Sequence, residues 1–173
     1  MKVSVVKPEV LEIDIRCTPD DELYHSCMWA RIVFDTKNWS MMAQSDCGDY
    51  SYGWCVESGS RSFLELMQSL DAEYLLGKVS NRTWFDEKAS KENILSYLDG
   101  EDISEDVIKE IKNIHACSEM DFINQIDEIE ELKEYELWEC PVNDYPPQAK
   151  TFAKLFVDVV EPKIREYLRG ESE

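Results

Sequence analysis

Residues 28–56, MWARIVFDTKNWSMMAQSDCGDYSYGWCV, decide the fold class of this chain. Apolar and polar side chains alternate over 28–34, 39–44 and 50–56, a pattern typical of strands with one buried face. The two short clusters between these segments contain Asp, Asn, Ser and Gly, which favour turns. Connections this short join neighbouring antiparallel strands, so the stretch predicts an antiparallel meander.

The residues before this stretch continue the β pattern. Val3 and Val5 alternate with polar residues ahead of a break at Pro8, and alternation resumes over 10–15. A Thr-Pro-Asp-Asp turn cluster at 18–21 then separates this first strand from the second. In the last predicted strand, one face carries three aromatic side chains, which are Tyr50, Tyr52 and Trp54.

After Gly59 the period changes to that of a helix. Ser62 and Glu65 fit a capping box at a helix start, and Asp71 fits the cap of a short helical turn that Gly77 ends. Apolar residues recur at helical spacing in three further segments and in a long final one that contains Pro162, which should kink it or mark a restart. These segments are 88–98, 103–115, 118 to about 132, and 148–168.

Together these patterns predict an α+β protein, in which an N-terminal antiparallel β-meander of about four strands packs against a C-terminal set of four to five helices. No internal repeat or low-complexity linker interrupts the chain, so we expect a single domain over 1–173. Its parts are the sheet (1–58), helices packing on the sheet (59–98), an acidic helical region (99–140) and a C-terminal helix (141–173).

Charge is the feature that bears most on function. The chain has 37 acidic and 18 basic residues, and 15 of the acids fall between Asp99 and Cys140 beside only three lysines. So negative a field repels nucleic acid and anionic membrane surfaces, and it attracts basic surfaces. We therefore expect neither direct nucleic-acid binding nor membrane binding, although the aromatic strand residues would otherwise suit a stacking platform.

The expected compartment follows from what the sequence lacks. It has no signal-peptide pattern and no apolar run of about 18 residues, so no helix is expected to span a membrane. Its six cysteines form no Cys-x-x-Cys pair, and in a reducing compartment they favour free thiols. The expected location is the cytoplasm, which is the host's cytoplasm if a phage encodes the chain.

Known catalytic and metal-binding motifs are also missing. The sequence contains no GxSxG, P-loop or GxGxxG motif, and its acidic clusters lack the spacing of a calcium loop. The only histidines, His25 and His115, stand apart, and the spacing of His115 and Cys117 turns them away from each other on a helix. We assign no catalytic residue, no metal ligand and no cofactor, and we expect a protein that is not an enzyme.

The acidic region has two interpretations. Its carboxylates are either the solvated faces of amphipathic helices or an array that imitates the phosphates of nucleic acid. Crowded like charges at i,i+3 and i,i+4 cost helix stability, which favours selection for a partner. The predicted partner-binding residues are Asp99, Glu101, Asp102, Glu105, Asp106, Asp127, Glu128, Glu130, Glu131, Glu134 and Glu136, with Tyr135 and Trp138 as apolar anchors.

The segment from Cys27 to Tyr52, together with FLELMQSLDAEYLLGKVS at 63–80, resembles small acidic accessory proteins of phages and prophages. The resemblance covers roughly the first half of the chain. It implies an inhibitor of a host defence nuclease, of the anti-CRISPR or anti-restriction type, and some such inhibitors act as DNA mimics. It carries no residue's role over to this chain.

The leading functional hypothesis is an acidic, non-enzymatic inhibitor. It binds a basic nucleic-acid-binding protein, such as a CRISPR effector or restriction enzyme, and blocks the nucleic-acid groove of that partner by carboxylate mimicry. The alternative is a small enzyme or ligand-binding protein with a pocket between sheet and helices. The chain itself is expected to be a monomer or a homodimer.

Overall fold

A computed structural model describes residues 1, 3–5, 7–55 and 61–170. Within these ranges the N-terminal part forms a four-stranded antiparallel sheet in the order β1-β2-β3-β4. This arrangement confirms the predicted meander and, with the helices that follow, the α+β fold class. The strands are β1 (Val10–Arg16), β2 (Trp29–Asp35), β3 (Ser40–Ser45) and β4 (Gly48–Gly53).

The alternation seen in the sequence sets which face of the sheet is buried. In β2, Ala30, Ile32 and Phe34 are buried, while the residues between them are exposed or half-buried. Ile32 lies opposite Ile13 of β1 and Ala43 of β3, so apolar side chains line up across the strands.

The β2–β3 turn is held by a side chain. The backbone N–H groups of Lys37 and Asn38 donate to Asp35 Oδ1 at 3.1 and 3.0 Å, an Asx-type turn. Trp39, predicted as the first residue of the third strand, instead lies in the turn with φ +52°. It is buried there, and its carbonyl accepts a hydrogen bond from the Trp54 N–H at 2.7 Å.

The prediction of strand structure at Val3 and Val5 is wrong. Neither residue belongs to a strand, and their side chains are 76% and 99% exposed. A segment with alternating apolar and polar residues forms a stable strand only where another strand pairs with it. None of the described strands pairs with the segment that contains Val3 and Val5. The predicted end of the fourth strand at Val56 lies outside the described residues.

Six helical stretches follow in the described part of the chain, which is slightly more than expected. The Ser62–Glu65 capping box and the Asp71 cap are both confirmed. The stretches are α1 (Phe63–Met67), α2 (Ala72–Val79), α3 (Glu87–Tyr97), α4 (Glu105–Asn113), α5 (Glu119–Asp127) and the C-terminal stretch of α6 (Pro147–Leu155), a π-helical turn (Phe156–Val160) and α7 (Glu161–Arg169). Short 3₁₀ turns (Glu130–Leu132, Leu137–Glu139) and two two-residue strands, β5 (Trp84–Phe85) and β6 (Asn143–Asp144), complete the elements.

Gly77 does not end its helix, contrary to the prediction. It lies inside α2, which continues to Val79 and is capped by the Ser80 N–H donating to Leu76 O. A glycine ends a helix when it adopts the left-handed conformation, and Gly77 is not among the positive-φ glycines of the described residues.

Pro162 has the predicted effect on the last helix. Proline has no N–H for the i→i−4 ladder, and its ring clashes with the preceding turn. The helix widens to a π-helical turn immediately before it, and the Glu161 N–H donates to the Phe156 carbonyl, five residues back. The helix then continues directly as α7, which begins at Glu161.

The chain divides into two compact units, residues 1–81 with 145–173 and residues 82–144. In the first unit, the inner face of the sheet packs against apolar residues of α1, α2, α6 and α7. Phe34, Phe63, Phe152 and Phe156 are fully buried there, with Phe34 edge-on to Phe63 and Phe156.

The second unit has its own core, built from α3, α4, α5 and the 3₁₀ turns. Ile94, Ile111 and Phe122 are completely buried at its centre. The short strands β5 and β6 pair in this unit, with Trp84 opposite Asp144 and Phe85 opposite Asn143.

Candidate protein-binding surface

The second unit carries most of the net negative charge of the chain, because residues 82–144 contain 19 acidic and six basic residues. Its helices direct that charge outward because their apolar residues recur on one face. Val107 and Ile111 of α4 and Phe122 and Ile126 of α5 are buried. The carboxylates between them therefore have only the solvent side available.

All the predicted partner-binding carboxylates are exposed. None of them contributes to the buried core of the second unit, so each is accessible to a partner molecule. They are Asp99, Glu101, Asp102, Glu105, Asp106, Asp127, Glu128, Glu130, Glu131, Glu134 and Glu136.

Two acidic runs, one within residues 99–106 and the other within residues 127–136, have a contact at the start of α4. Ser104 is the N-cap of this helix, and its Oγ accepts from the Val107 N–H at 3.3 Å. Its hydroxyl also donates to Glu131 Oε1 at 3.1 Å, and its backbone N–H lies 3.4 Å from Glu131 Oε2. A carboxylate at this position is favoured by the free amides and the dipole of the helix N-terminus.

Tyr135 makes a second connection between the runs. Burial raises the pKa of its phenol, and the nearby carboxylates of Glu101, Glu134 and Asp102 raise it further. A hydrogen bond with Glu101 acts in the same direction. The phenol therefore lies among acids from both runs. We call the group formed by Glu101, Asp102, Glu131, Glu134 and Tyr135 the acidic junction.

The remaining predicted residues surround the junction in sequence, and two of them are paired with lysines. Asp106 accepts from Lys109 at 3.0 Å, and Glu130 accepts from Lys133. Both are exposed i,i+3 pairs, which contribute little to stability. The described contacts do not tie the other predicted residues to the junction; these are Asp99, Glu105, Asp127, Glu128 and Glu136.

The two predicted apolar anchors differ in exposure. Trp138 lies in the second 3₁₀ turn with 62% of its side chain exposed, an unusual fraction for so large an apolar group. Tyr135 is half-buried and packs on the core of the second unit. Trp138 is thus free to contact a partner, whereas the Tyr135 side chain is partly used in packing against the core of the second unit.

Two structural roles in this unit were missed in the sequence. Ser104 was identifiable as a helix cap from its position before Glu105 and Asp106, but its contact with Glu131 depends on tertiary packing. Glu87 accepts from the Ala116 N–H at 2.7 Å and from Lys91 Nζ at 2.6 Å. The Lys91 hydrogen bond, followed by that from Ala116, lowers the pKa of Glu87.

His115 and Cys117 contact different partners. His115 Nδ1 lies 3.8 Å from the Glu87 carboxylate, whereas Cys117 Sγ lies 3.7 Å from Asp121 Oδ2. Among the described residues, no group of three His, Cys, Asp or Glu side chains is arranged to hold a metal ion. No helix in the described ranges is long and apolar enough to cross a membrane.

The strand aromatics belong to the core of the first unit. Tyr50 stacks on Phe152 with ring centroids 4.3 Å apart, and its hydroxyl donates to the Cys47 carbonyl. Trp54 is buried against Phe63, and Tyr52 meets Trp54 edge-on. These contacts use the aromatic face for packing between sheet and helices.

Comparison with known proteins adds the origin of the chain. The model of the family Phage_phiTE_072, described as a phage family, matches residues 2–166. No curated protein and no solved structure matches. Because the family match spans almost the whole sequence, this chain belongs to the phage family Phage_phiTE_072.

Proposed function

We propose that this phage-family protein is a non-enzymatic inhibitor that binds a basic nucleic-acid-binding protein through the surface around the acidic junction. The partner class we propose is a host defence nuclease, such as a CRISPR effector or a restriction enzyme. The observation that supports this proposal is the contact of Ser104 with Glu131, which joins the acidic segment just before α4 to the acidic segment that contains Glu131.

The mechanism is competition for a cationic groove. A groove that binds nucleic acid is lined by Lys and Arg, and it releases counterions when it binds a polyanion. A protein surface with closely spaced carboxylates occupies the same groove for the same reason. Complementary charge also speeds the encounter between the partners.

Basic residues are too few in the second unit to neutralise its carboxylates, which supports a surface that was selected for binding and not for stability. Lys109 and Lys133 each pair with a carboxylate three residues away, but 19 acids face six bases in 82–144. Glu101 and Glu134 both lie near the Tyr135 phenol, and a cationic partner surface would be attracted to both carboxylates.

Trp138 supplies the apolar part of the proposed interface. Exposed aromatic side chains often contribute a large share of the energy of protein–protein binding. A Trp at 62% exposure close in sequence to Glu136 and Glu139 can enter a pocket of the partner while the carboxylates contact the rim.

The first test is a titration of candidate nucleases with the full chain at about 50 mM and about 200 mM salt. We expect the dissociation constant to rise at least tenfold at the higher salt, and we expect duplex DNA to compete with the protein. An affinity that does not change with salt would contradict carboxylate mimicry.

The second test neutralises part of the surface with substitutions of nearly the same size and shape. We expect the following quadruple variant to lose at least tenfold in affinity: Asp102→Asn, Glu105→Gln, Glu130→Gln and Glu131→Gln. A control removes the same number of charges at exposed positions elsewhere: Asp20→Asn, Asp49→Asn, Glu92→Gln and Asp158→Asn. If both variants lose affinity equally, net charge and not this surface drives binding.

A further inference from the structure

Two of the six cysteines contact each other in the core of the first unit. Cys27 lies two residues before β2, and Cys47 lies in the turn between β3 and β4. Both side chains are buried, with 1% and 2% of their surface exposed. Their sulfur atoms lie 2.8 Å apart. The two atoms therefore need to approach by only about 0.8 Å to reach the length of a disulfide bond, which is about 2.05 Å.

Backbone hydrogen bonds hold the two cysteines in this position. The Asp46 carboxylate accepts from the Met28 N–H at 2.9 Å and from the Trp29 N–H at 3.3 Å. The Asp46 N–H also donates to Trp29 O at 3.4 Å. The residue after Cys27 is thus bound to the residue before Cys47. Two cysteines can be bridged without backbone movement only when their backbones already lie close together, and these bonds keep them close.

A disulfide at this position would leave no nearby polar group without a partner. Cys27 Sγ lies 3.7 Å from the Trp29 carbonyl, and Cys47 Sγ lies 3.2 Å from Ser45 Oγ. When the two S–H groups are lost, the Trp29 carbonyl keeps its backbone bond from the β3–β4 turn, and Ser45 still donates to Gly48 O at 2.6 Å. Oxidation therefore avoids the cost of a buried, unpaired acceptor.

We propose that Cys27 and Cys47 are an oxidation site, at which they form a disulfide with each other by exchange with a small disulfide such as oxidised glutathione. One cysteine thiolate attacks the small disulfide, releases one thiolate and leaves a mixed disulfide on the protein. The other cysteine then attacks the protein sulfur of that bond and releases the second thiolate. The two cysteines lose two electrons, the small disulfide gains them, and the two released thiolates take up the two protons.

The surroundings of the two cysteines make this reaction slow in the folded chain. Burial raises the pKa of the Cys27 thiol, and its hydrogen bond with Cys47 and the nearby Asp46 carboxylate raise it further. Only the thiolate attacks a disulfide. The folded chain therefore resists oxidation until the β3–β4 turn opens, and the bond forms most readily during folding. This site lies in the first unit and does not depend on the proposed inhibitory function, which uses the second.

The bond would join the connection between β1 and β2 to the β3–β4 turn. The two cysteines are 20 residues apart in the chain, and closing a loop of this size restricts the unfolded state. We expect the oxidised chain to have a Tm about 5–10 °C above that of the chain kept in dithiothreitol. A Tm that does not rise in a chain that contains the bond would contradict the fit of the disulfide to the folded state.

The first test is a peptide map of the oxidised chain. The full chain is refolded from urea in a mixture of oxidised and reduced glutathione, which lets wrong pairs exchange, and the remaining thiols are then alkylated. Chymotrypsin cuts after aromatic residues, so Tyr24 separates Cys27 from the preceding cysteine. Tyr50 likewise separates Cys47 from the following one. We expect mass spectrometry to find these two peptides joined by a bond that dithiothreitol breaks.

The exposed cysteines provide a contrast in the same experiment. Cys55 and Cys117 are exposed, so we expect them to carry glutathione or to remain free thiols. Glutathione or free thiols on Cys27 and Cys47, without a link between them, would overturn the proposal. This map uses the natural sequence, and so it decides the question even if a cysteine variant fails to fold.

A pair of variants connects the bond to the rise in Tm. Cys27→Ala should abolish the difference in Tm between the oxidised and the reduced chain. The matched control is Cys140→Ala, at a cysteine that is also buried (5% exposed) but lies in the second unit, and it should keep the difference. Each variant is compared with its own reduced form, so a loss of packing cancels. A difference that persists in Cys27→Ala would overturn the proposal.

Discussion

Gly48 shows how one residue determines a turn. It follows the two-residue loop between β3 and β4 with φ +127°, a conformation that side chains rarely adopt. A Cβ at this position would lie 2.6 Å from the hydroxyl oxygen of Tyr50, which is fixed by its bond to Cys47 O. The turn therefore requires glycine for two independent reasons.

We expect Gly48→Ala to lower the free energy of unfolding by about 2 kcal/mol, the scale of one strained backbone position. Gly53→Ala is the matched control, because a Cβ there meets no atom within 4 Å. Urea denaturation of both variants measures the difference. Equal stability of the two variants would contradict the strain at Gly48.

Glu161 is a buried carboxyl group with an incomplete set of partners. Oε2 accepts from Arg165 Nη2 at 2.7 Å, whereas Oε1 has no hydrogen-bond partner in the described part of the chain. Burial raises the pKa of this carboxyl above 4.5, Arg165 opposes the shift, and Asp71 adds to it. The folded state thus holds the proton at pH values where the unfolded chain has released it.

The sign of the pH effect follows from this difference. As pH rises from about 4.5 through the folded-state pKa of Glu161, the free energy of unfolding falls, because the folded state binds more protons in this window. We expect Glu161→Gln to gain stability relative to the natural chain over that window, by about 1 kcal/mol. Thermal unfolding at a series of pH values measures this gain, and Asp158→Asn, at an exposed carboxylate, should show none.

At the scale of elements, the five helices α1 to α5 start in the same way, whereas α6 and α7 have no side-chain cap. Side chains of Ser62, Asp71, Asp86, Ser104 and Ser118 each accept a hydrogen bond from an amide of the first helical turn. Such caps are visible in the sequence because both partners lie within three residues. The contact of Ser104 with Glu131 adds a link between elements.

A double-mutant cycle measures this link. We expect Ser104→Ala and Glu131→Gln each to destabilise the chain, and the double variant to lose about 0.5–1 kcal/mol less than the sum of both. Ser118→Ala combined with Glu131→Gln should be additive, since Ser118 caps α5 through Asp121. Additivity in both cycles would mean that the Ser104–Glu131 contact contributes nothing in solution.

At the scale of the whole molecule, the buried residues form two separate cores, one in each compact unit. Ile32 is fully buried in the first core and Ile111 in the second. A large-to-small substitution at such a position removes packing contacts and leaves a cavity. The response of each unit to a defect in its own core shows how far the two units fold independently.

We expect Ile111→Ala to cost about 3 kcal/mol and to speed amide exchange in α4 and α5, while β2 and β3 keep their protection. Ile32→Ala should show the reverse pattern. Exchange that accelerates equally throughout the chain in both variants would indicate one cooperative unit, as a single domain requires.

Much of the fold could be predicted because its causes are local. Alternation over 28–54 sets the strands of the meander, and the residues between them set its turns. The exposed acids of the second unit were likewise predictable, because isoleucines at helical spacing leave only one face for the carboxylates. The wrong predictions at Val3, Val5 and Gly77 share one cause, which is that a local pattern does not by itself fix the structure. The alternation at Val3 and Val5 suits a strand, but no described strand pairs with them. Gly77 suits a helix end, but its backbone does not take the left-handed conformation that ends a helix.

The α+β class, the helix caps and the concentration of negative charge in 99–140 follow from neighbouring residues, since each depends on residues a few positions apart. Tertiary packing brings Glu131 to Ser104, 27 residues away, and divides the buried residues between two cores. It also leaves an open groove beside β1. Contacts between distant residues depend on how helices and strands pack. Hydrophobic periodicity predicts which face of an element is buried, but it does not predict which other element packs against that face.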